Sequence, residues 1–170
     1  MQQPPLAAGR DPAPSFAVFD IDGVLADVAH RLHHVRSRRK DWRAFFAAAA
    51  GDALLAAGHA RLLAAARLHA IVYVSGRPER LRPVTQSWLD IHGCPGGALL
   101  LRADRDRRPA RMLKLDLVTR VAQRGEIALV VDDDAEVCRV LADAGFPVEQ
   151  ATWAADSTTL RRAQQRQGRT

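Results

Sequence analysis

Residues 16–27 read FAVFDIDGVLAD. Phe16, Ala17, Val18 and Phe19 form an unbroken apolar run of strand-forming residues, too continuous for a strand with one wet face. The run stops at two acids, Asp20 and Asp22, with Gly23 directly after them. A strand buried on both faces that ends in carboxylates points to a parallel sheet, because the working loops of such sheets leave the carboxyl ends of the strands.

Working outward, residues 70–75, 98–101, 127–132 and 147–152 are similar short apolar runs. The segments 53–68, 78–91, 108–123 and 135–144 carry apolar residues at helical spacing, for example Leu113, Leu117, Val118 and Val121 on one face. Strand and helix in alternation predict an α/β fold with a Rossmann-like, mostly parallel central sheet of about five strands and helices on both faces. Residues 27–50 are too long for a simple connection and read as a small helical cap or insert. Its Trp42, Phe45 and Phe46 read as packing of that insert rather than a base-stacking platform, and His30, His33 and His34, flanked by arginines, as a solvated or phosphate-facing helix.

The 170 residues suit one domain, expected over 15–155. Four of the nine prolines fall in the first fifteen residues, so 1–14 reads as a disordered lead-in, and 156–170 as a polar basic tail. Cys94 and Cys138 lack metal-ligand spacing and suggest a reducing compartment and plain packing. No apolar run approaches the roughly 18 residues of a membrane span, and no signal-peptide core is present, which excludes a membrane partner and predicts a cytoplasmic protein. A formal net charge of +6 favours phosphate-bearing partners.

The polar residues collect at the strand ends: Asp20 and Asp22 after the first, Ser75-Gly76-Arg77 after the second, Asp132-Asp133-Asp134 after the fourth. Converging carboxylates repel by several kcal/mol per close pair at low dielectric. A divalent cation relieves this, and an oxygen-only ligand set selects a hard ion such as Mg²⁺, which commonly bridges carboxylates to a substrate phosphate. Asp134 reads as the N-cap of the following helix rather than a further ligand. Arg77, Arg80, Arg82 and the arginines of 102–111 flank the expected mouth and are placed to guide phosphate.

The ordered set Asp-x-Asp-Gly-Val-Leu at 20–25, Val-Ser-Gly-Arg at 74–77, Lys114 and Val-Asp-Asp at 131–133 resembles the haloacid dehalogenase (HAD) superfamily of phosphotransferases. The resemblance implies that Asp20 is a nucleophile forming an aspartyl-phosphate, and Asp22 the general acid and base. It implies that Ser75, with Gly76 and Arg77, binds the transferring phosphoryl group and that Lys114 holds its charge. Asp20, Asp132, Asp133 and the main-chain carbonyl of Asp22 are implied as the Mg²⁺ ligands. The stretches YVSGRPERLRPVTQSWLDIHG, LLLRADRDRRPARMLKLDLVTRV and LVVDDDAEVCRVLADAG are more specifically similar to the 3′-phosphatase half of phage-type polynucleotide kinase/phosphatase. Two departures stand out: no stretch matches the kinase motif GxxxxGK[ST], and Asp134 occupies a place where that subgroup often has arginine.

The expectation is a phosphomonoester hydrolase acting on nucleic-acid or nucleotide 3′-phosphates. A phosphatase of small phosphorylated metabolites and a catalytically idle module binding a phosphorylated ligand or partner are the alternatives.

Overall fold

The computed structural model describes residues 13–36, 39–154 and Gln165. The expected lead-in therefore lies outside the described residues except for Ala13 and Pro14, and the expected tail except for Gln165.

In chain order the elements are β1 (Ser15–Phe19), β2 (Ala26–Asp27), α1 (His33–Arg36), α2 (Trp42–Ala47), β3 (Ala53–Leu54), α3 (Ala56–Ala66), β4 (Ala70–Pro78), α4 (Arg82–Ile91), β5 (Gly97–Arg102), α5 (Ala110–Ala122), β6 (Glu126–Asp132), α6 (Ala135–Asp143) and β7 (Val148–Gln150). The main sheet has the order β5-β4-β1-β6-β7, and every pairing in it is parallel. This is the expected α/β architecture, with β1 at the centre.

Alternate residues of the central strands feed two apolar cores. Ala17, Phe19, Ile71, Tyr73 and Val131 pack with Leu62 of α3 and with Trp88 and Leu89 of α4. Val18, Val72, Val74 and Val130 pack on the other face with Leu113, Leu117 and Val118 of α5 and with Val137 and Leu141 of α6. This two-sided burial is why the strands read as continuous apolar runs. Phe19 is fully buried, and its truncation to alanine would cost about 3–5 kcal/mol.

Three local departures from the expected elements have simple causes. Residues 53–54 are not helical; they pair antiparallel with β2 as a two-stranded ribbon, Ala26 opposite Leu54 and Asp27 opposite Ala53. The helix expected from 53 starts instead at Ala56, and Leu55 N donates to Leu25 O at 2.7 Å. At Gly58 a Cβ would stand 1.8 Å from Val24 O, so glycine is what lets α3 approach the loop after β1. Likewise Pro78 ends β4 rather than opening a helix; a 3-10 turn over Glu79–Leu81 intervenes, and Pro83 occupies the first turn of α4.

The insert is held by its own core of Val28, Leu32, Val35, Trp42, Phe45 and Phe46, with Leu81 against it. Asp41 caps α2 by accepting from Ala44 N at 2.9 Å. Cys94 and Cys138 are free thiols, which burial pushes up to about 11 and about 12, so neither is a reactive thiolate. Among the described residues no helix is long and apolar enough to cross a membrane.

Candidate active site

β1 delivers Asp20 to the carboxyl edge of the sheet, where its backbone N donates to Val131 O of β6 at 2.9 Å. β6 ends in Asp132 beside it. Lys114, one turn into α5, reaches between the two: its Nζ lies 2.7 Å from Asp20 Oδ2 and 2.6 Å from Asp132 Oδ2. All three side chains are buried. Asp132 Oδ1 accepts from Asp134 N at 3.0 Å, which holds the carboxylate in place.

Burial pushes the Asp20 carboxyl well above its ordinary range; Lys114 opposes the shift, and Asp132 and Asp133 add to it. Asp132 is raised in the same way, with Lys114 opposing. Burial works to discharge Lys114, but Asp132 and Asp20 outweigh it and raise its pKa, so the ammonium stays charged. One cation thus faces more negative charge than it can balance.

Asp20, Asp132 and Asp133 present carboxylate oxygens that all lie within 4.8 Å of one another. Asp20 Oδ1 is buried without a hydrogen-bond partner among the described residues. A set of oxygen donors at this spacing, with one lone acceptor, fits a hard divalent cation. Asp134 is not in this group. Its Oδ1 accepts from Glu136 N at 2.9 Å, capping α6, and its Oδ2 accepts from Gln165 Nε2 at 2.7 Å.

Gly23, at φ +83°, turns the chain after the two acids, and a Cβ there would fall 2.5 Å from Asp133 Oδ2. Ile21 O accepts from the backbone N of Val24, Leu25 and Ala26, which closes the turn. Asp22 is clasped by two buried guanidiniums: Arg77 Nε and Nη2 donate to its Oδ1 at 2.9 and 2.6 Å, and Arg31 Nη2 at 2.9 Å. Burial alone would raise its pKa, but Arg31 and Arg77 outweigh burial and hold the carboxyl at about 2.

The same arginines share a second acid, Asp52, whose side chain is fully buried. Arg31 Nε and Nη2 donate to Asp52 Oδ1 and Oδ2, both at 2.7 Å, and Arg77 Nη2 donates to Oδ2 at 2.7 Å. His30 Nε2 lies 2.9 Å from Asp52 Oδ1 at the solvent side. Arg31 also lies over the Phe45 ring, 4.2 Å from its centroid, so the insert's aromatic core supports the clasp. Arg77, expected among the substrate-binding residues, has its side chain buried against Asp22, Asp52 and Thr85.

Ser75 is buried near the end of β4, where the register with β5 breaks between Ser75 and Pro78, and its Oγ accepts from Arg77 N at 3.2 Å. Gly76 O accepts from Arg102 Nε at 3.3 Å. Arg102 is itself buried; its Nη1 donates to Arg108 O at 2.7 Å, and its Nη2 has no partner among the described residues.

The basic rim is internally paired to a large extent. Arg80 meets Asp104 at 3.1 Å, Arg108 meets Asp106 at 2.7 Å and Asp116 at 3.2 Å, and Arg82 pairs with Glu79. A cavity of about 260 Å³ between α5 and the β4–β5 side contains none of these groups; Phe16, Val72, Leu100 and Leu117 line it, with Arg120 and Arg124.

Asp52 and Arg31 escaped the sequence reading. Arg31 sits among many arginines and nothing local distinguishes it. Asp52 carried one signal: it is the single acid between Asp41 and Glu79.

A family model described as polynucleotide kinase PNKP phosphatase domain matches residues 14–154. Among solved structures the chain is similar to one in a Pnkp1/Rnl/Hen1 complex, with TM-score 0.71 and 20% identity over 88% of this chain and 50% of that one. A chain in the Pnkp1/Rnl/Hen1 RNA repair complex gives TM-score 0.69 and 20% identity over 88% of this chain and 46% of that one. The chain thus spans about half the length of these two neighbours. A HAD family enzyme from Bacteroides thetaiotaomicron, solved with magnesium and inorganic phosphate, gives TM-score 0.51 and 11% identity over 86% of this chain and 98% of that one. No curated protein matches the sequence. With its family match over nearly all the described residues and its parallel sheet carrying an acidic cluster, the chain belongs to the polynucleotide kinase PNKP phosphatase-domain family of HAD-type phosphatases.

Proposed function

We propose that the chain is a Mg²⁺-dependent phosphomonoester hydrolase that works through a phosphoaspartate on Asp20 and acts on nucleic-acid or nucleotide 3′-phosphates. The observation that carries this reading is the bridge from Lys114 to both Asp20 and Asp132, set beside a cation-sized group of three carboxylates. Asp20, Asp132, Asp133 and the main-chain carbonyl of Asp22 would hold Mg²⁺. When bound, the ion supplies positive charge to the phosphoryl oxygens and to the crowded acids.

In the first step an Asp20 oxygen attacks phosphorus, the bond from phosphorus to the leaving oxygen breaks, and Asp22 gives that oxygen a proton. In the second, water attacks the same phosphorus, gives its proton to Asp22, and the Asp20–phosphorus bond breaks. Lys114 and Ser75 meet the charge on the transferring oxygens. Asp22 is buried and clasped as an anion by Arg31 and Arg77 before substrate enters. An incoming phosphate dianion favours the protonated acid, which brings Asp22 toward its task.

The family match, to a phosphatase domain of a polynucleotide kinase, supports a polynucleotide phosphate as substrate. The neighbour from an RNA repair complex supports the same class. The compact aromatic core of the insert supports reading 27–50 as a small cap on a domain spanning 15–155, a shape that leaves room for a polymer end. One observation favours a small phosphorylated metabolite instead: the rim arginines are largely engaged by Asp104, Asp106, Asp116 and Glu79. Turnover of a 3′-phosphorylated oligonucleotide against a panel of sugar phosphates separates the two. Preference for the oligonucleotide supports the proposal, preference for the sugars removes its substrate class, and binding without turnover in either favours an idle module.

A further inference from the structure

The cavity beside α5 lies toward the opposite edge of the sheet from the acids. Phe16, which lines it, stands near the start of β1 and precedes Asp20 by a rise of about 13 Å along the strand. α5 runs the other way: Lys114 is near its start, whereas Arg120 belongs to its last turn and Arg124 lies just past its end. The cavity therefore touches none of the residues proposed for catalysis.

The topology explains why the hollow exists. β5 is an edge strand, paired on one side with β4. On this face α5 sits over β4 and β6, and α6 over β6 and β7, which leaves the outer part of β5 open among the described residues. Ala98 is exposed there and contributes only a methyl group. Phe16, Val72 and Leu100 form the floor and Leu117 and Val121 the wall of a space of about 260 Å³. Residues 117, 120, 121 and 124 share one face of the helix, so the two buried apolar side chains carry two exposed arginines beside them.

The charge at the mouth is one-sided. No acid lines the cavity. Arg120 is tied to Asp116, its Nη2 donating to Oδ2 at 2.8 Å, while the Arg124 side chain has no hydrogen bond or ion pair among the described residues. Two guanidiniums against one carboxylate leave a single positive charge above an apolar hollow, which matches a monoanion better than a phosphate dianion. A carboxylate also fits the planar fork of a guanidinium.

We propose that this pocket binds a small amphipathic carboxylate, its apolar body against Val72, Leu100, Leu117 and Val121 and its anionic end at Arg124 and Arg120. A dry cavity of about 150 Å³ accepts benzene, so the volume here suits roughly ten non-hydrogen atoms, as in a medium-chain or aryl carboxylate.

The test titrates the full chain calorimetrically with octanoate, with octanamide, which has the same body without charge, and with acetate, which has the charge without the body. Octanoate should bind one per chain with a Kd of about 1 mM or tighter, octanamide several-fold more weakly, and acetate without saturation; inorganic phosphate should not displace octanoate. Ala98→Trp, which fills the hollow, should abolish octanoate binding, and the double variant Arg120→Gln with Arg124→Gln should reduce it to the level of octanamide. The comparisons among ligands use wild-type protein alone and hold whatever the variants do to stability. Absence of saturation by octanoate, equal binding of octanamide, displacement by phosphate or undiminished binding in Ala98→Trp would each overturn the proposal. So would a wild-type dimer in sedimentation that Ala98→Trp dissociates, since a second copy would then occupy the hollow.

Discussion

Lys114 Nζ stands 2.7 Å from Asp20 and 2.6 Å from Asp132, a single buried cation shared by the carboxylates that end β1 and β6. Replacing it by methionine keeps the stem and leaves the acids facing one another. Lys114→Met should lower kcat by at least about 100-fold and destabilise the metal-free protein by about 3–5 kcal/mol, as expected when one partner of a buried pair is removed. Steady-state kinetics and urea unfolding check both, and a kcat near the wild-type value would remove Lys114 from the reaction.

Arg77 bonds Asp22 through two nitrogens and Asp52 through one of the same two, a planar geometry that an ammonium cannot copy. Arg77→Lys should therefore fail to restore function, with kcat reduced more than about tenfold, and Arg77→Ala should also unfold at clearly lower temperature. The comparison of kcat and Tm across the two variants decides it.

The acids of the site carry opposite pH dependence. Asp22 is held at about 2 when folded, below its ordinary value of 3.8. Its stabilisation is therefore complete above the unfolded value and is lost as pH falls from about 4 toward 2, amounting to about 2 kcal/mol. Asp20 and Asp132 are raised, so the folded state binds their protons more tightly, and stability falls as pH rises from about 4 through their folded values. Asp22→Asn should flatten the acid limb of the stability profile. Asp20→Asn should raise the neutral-pH Tm of metal-free protein, and added Mg²⁺ should raise the Tm of wild type.

Gly23 is confined by both backbone and neighbours: φ is +83°, and a Cβ would meet Asp133 Oδ2 at 2.5 Å. Gly23→Ala should displace Asp133, weaken Mg²⁺ activation in a metal titration and reduce kcat by more than about tenfold. An unchanged metal dependence would separate Asp133 from the ion.

The fold was legible in the sequence where burial is two-sided. Val18 and Phe19 face opposite cores, so β1 shows as a continuous apolar run whose polar end stands out. The same contrast exposed Asp132 at the end of β6. The β2–β3 ribbon was not legible because strands of two residues carry no period, and Ala53 and Leu54 merge with the helix behind them. Asp52 and Arg31 were hidden for another reason: their meaning lies in each other. Arg31 meets Asp52 across 21 residues and Asp52 meets Arg77 across 25, pairings set by the tertiary fold rather than any local pattern. Arg77 was visible as part of Ser-Gly-Arg, but its inward turn toward Asp22 was not.

The central claim is that phosphorus is transferred to Asp20. Wild-type protein mixed with a 3′-phosphorylated oligonucleotide and Mg²⁺, then acid-quenched within the first turnover, should carry a phosphoryl adduct on the peptide containing Asp20. Mass spectrometry reads the adduct, hydroxylamine should release it, and Asp20→Asn should show neither adduct nor turnover. Hydrolysis undiminished in Asp20→Asn would contradict the account.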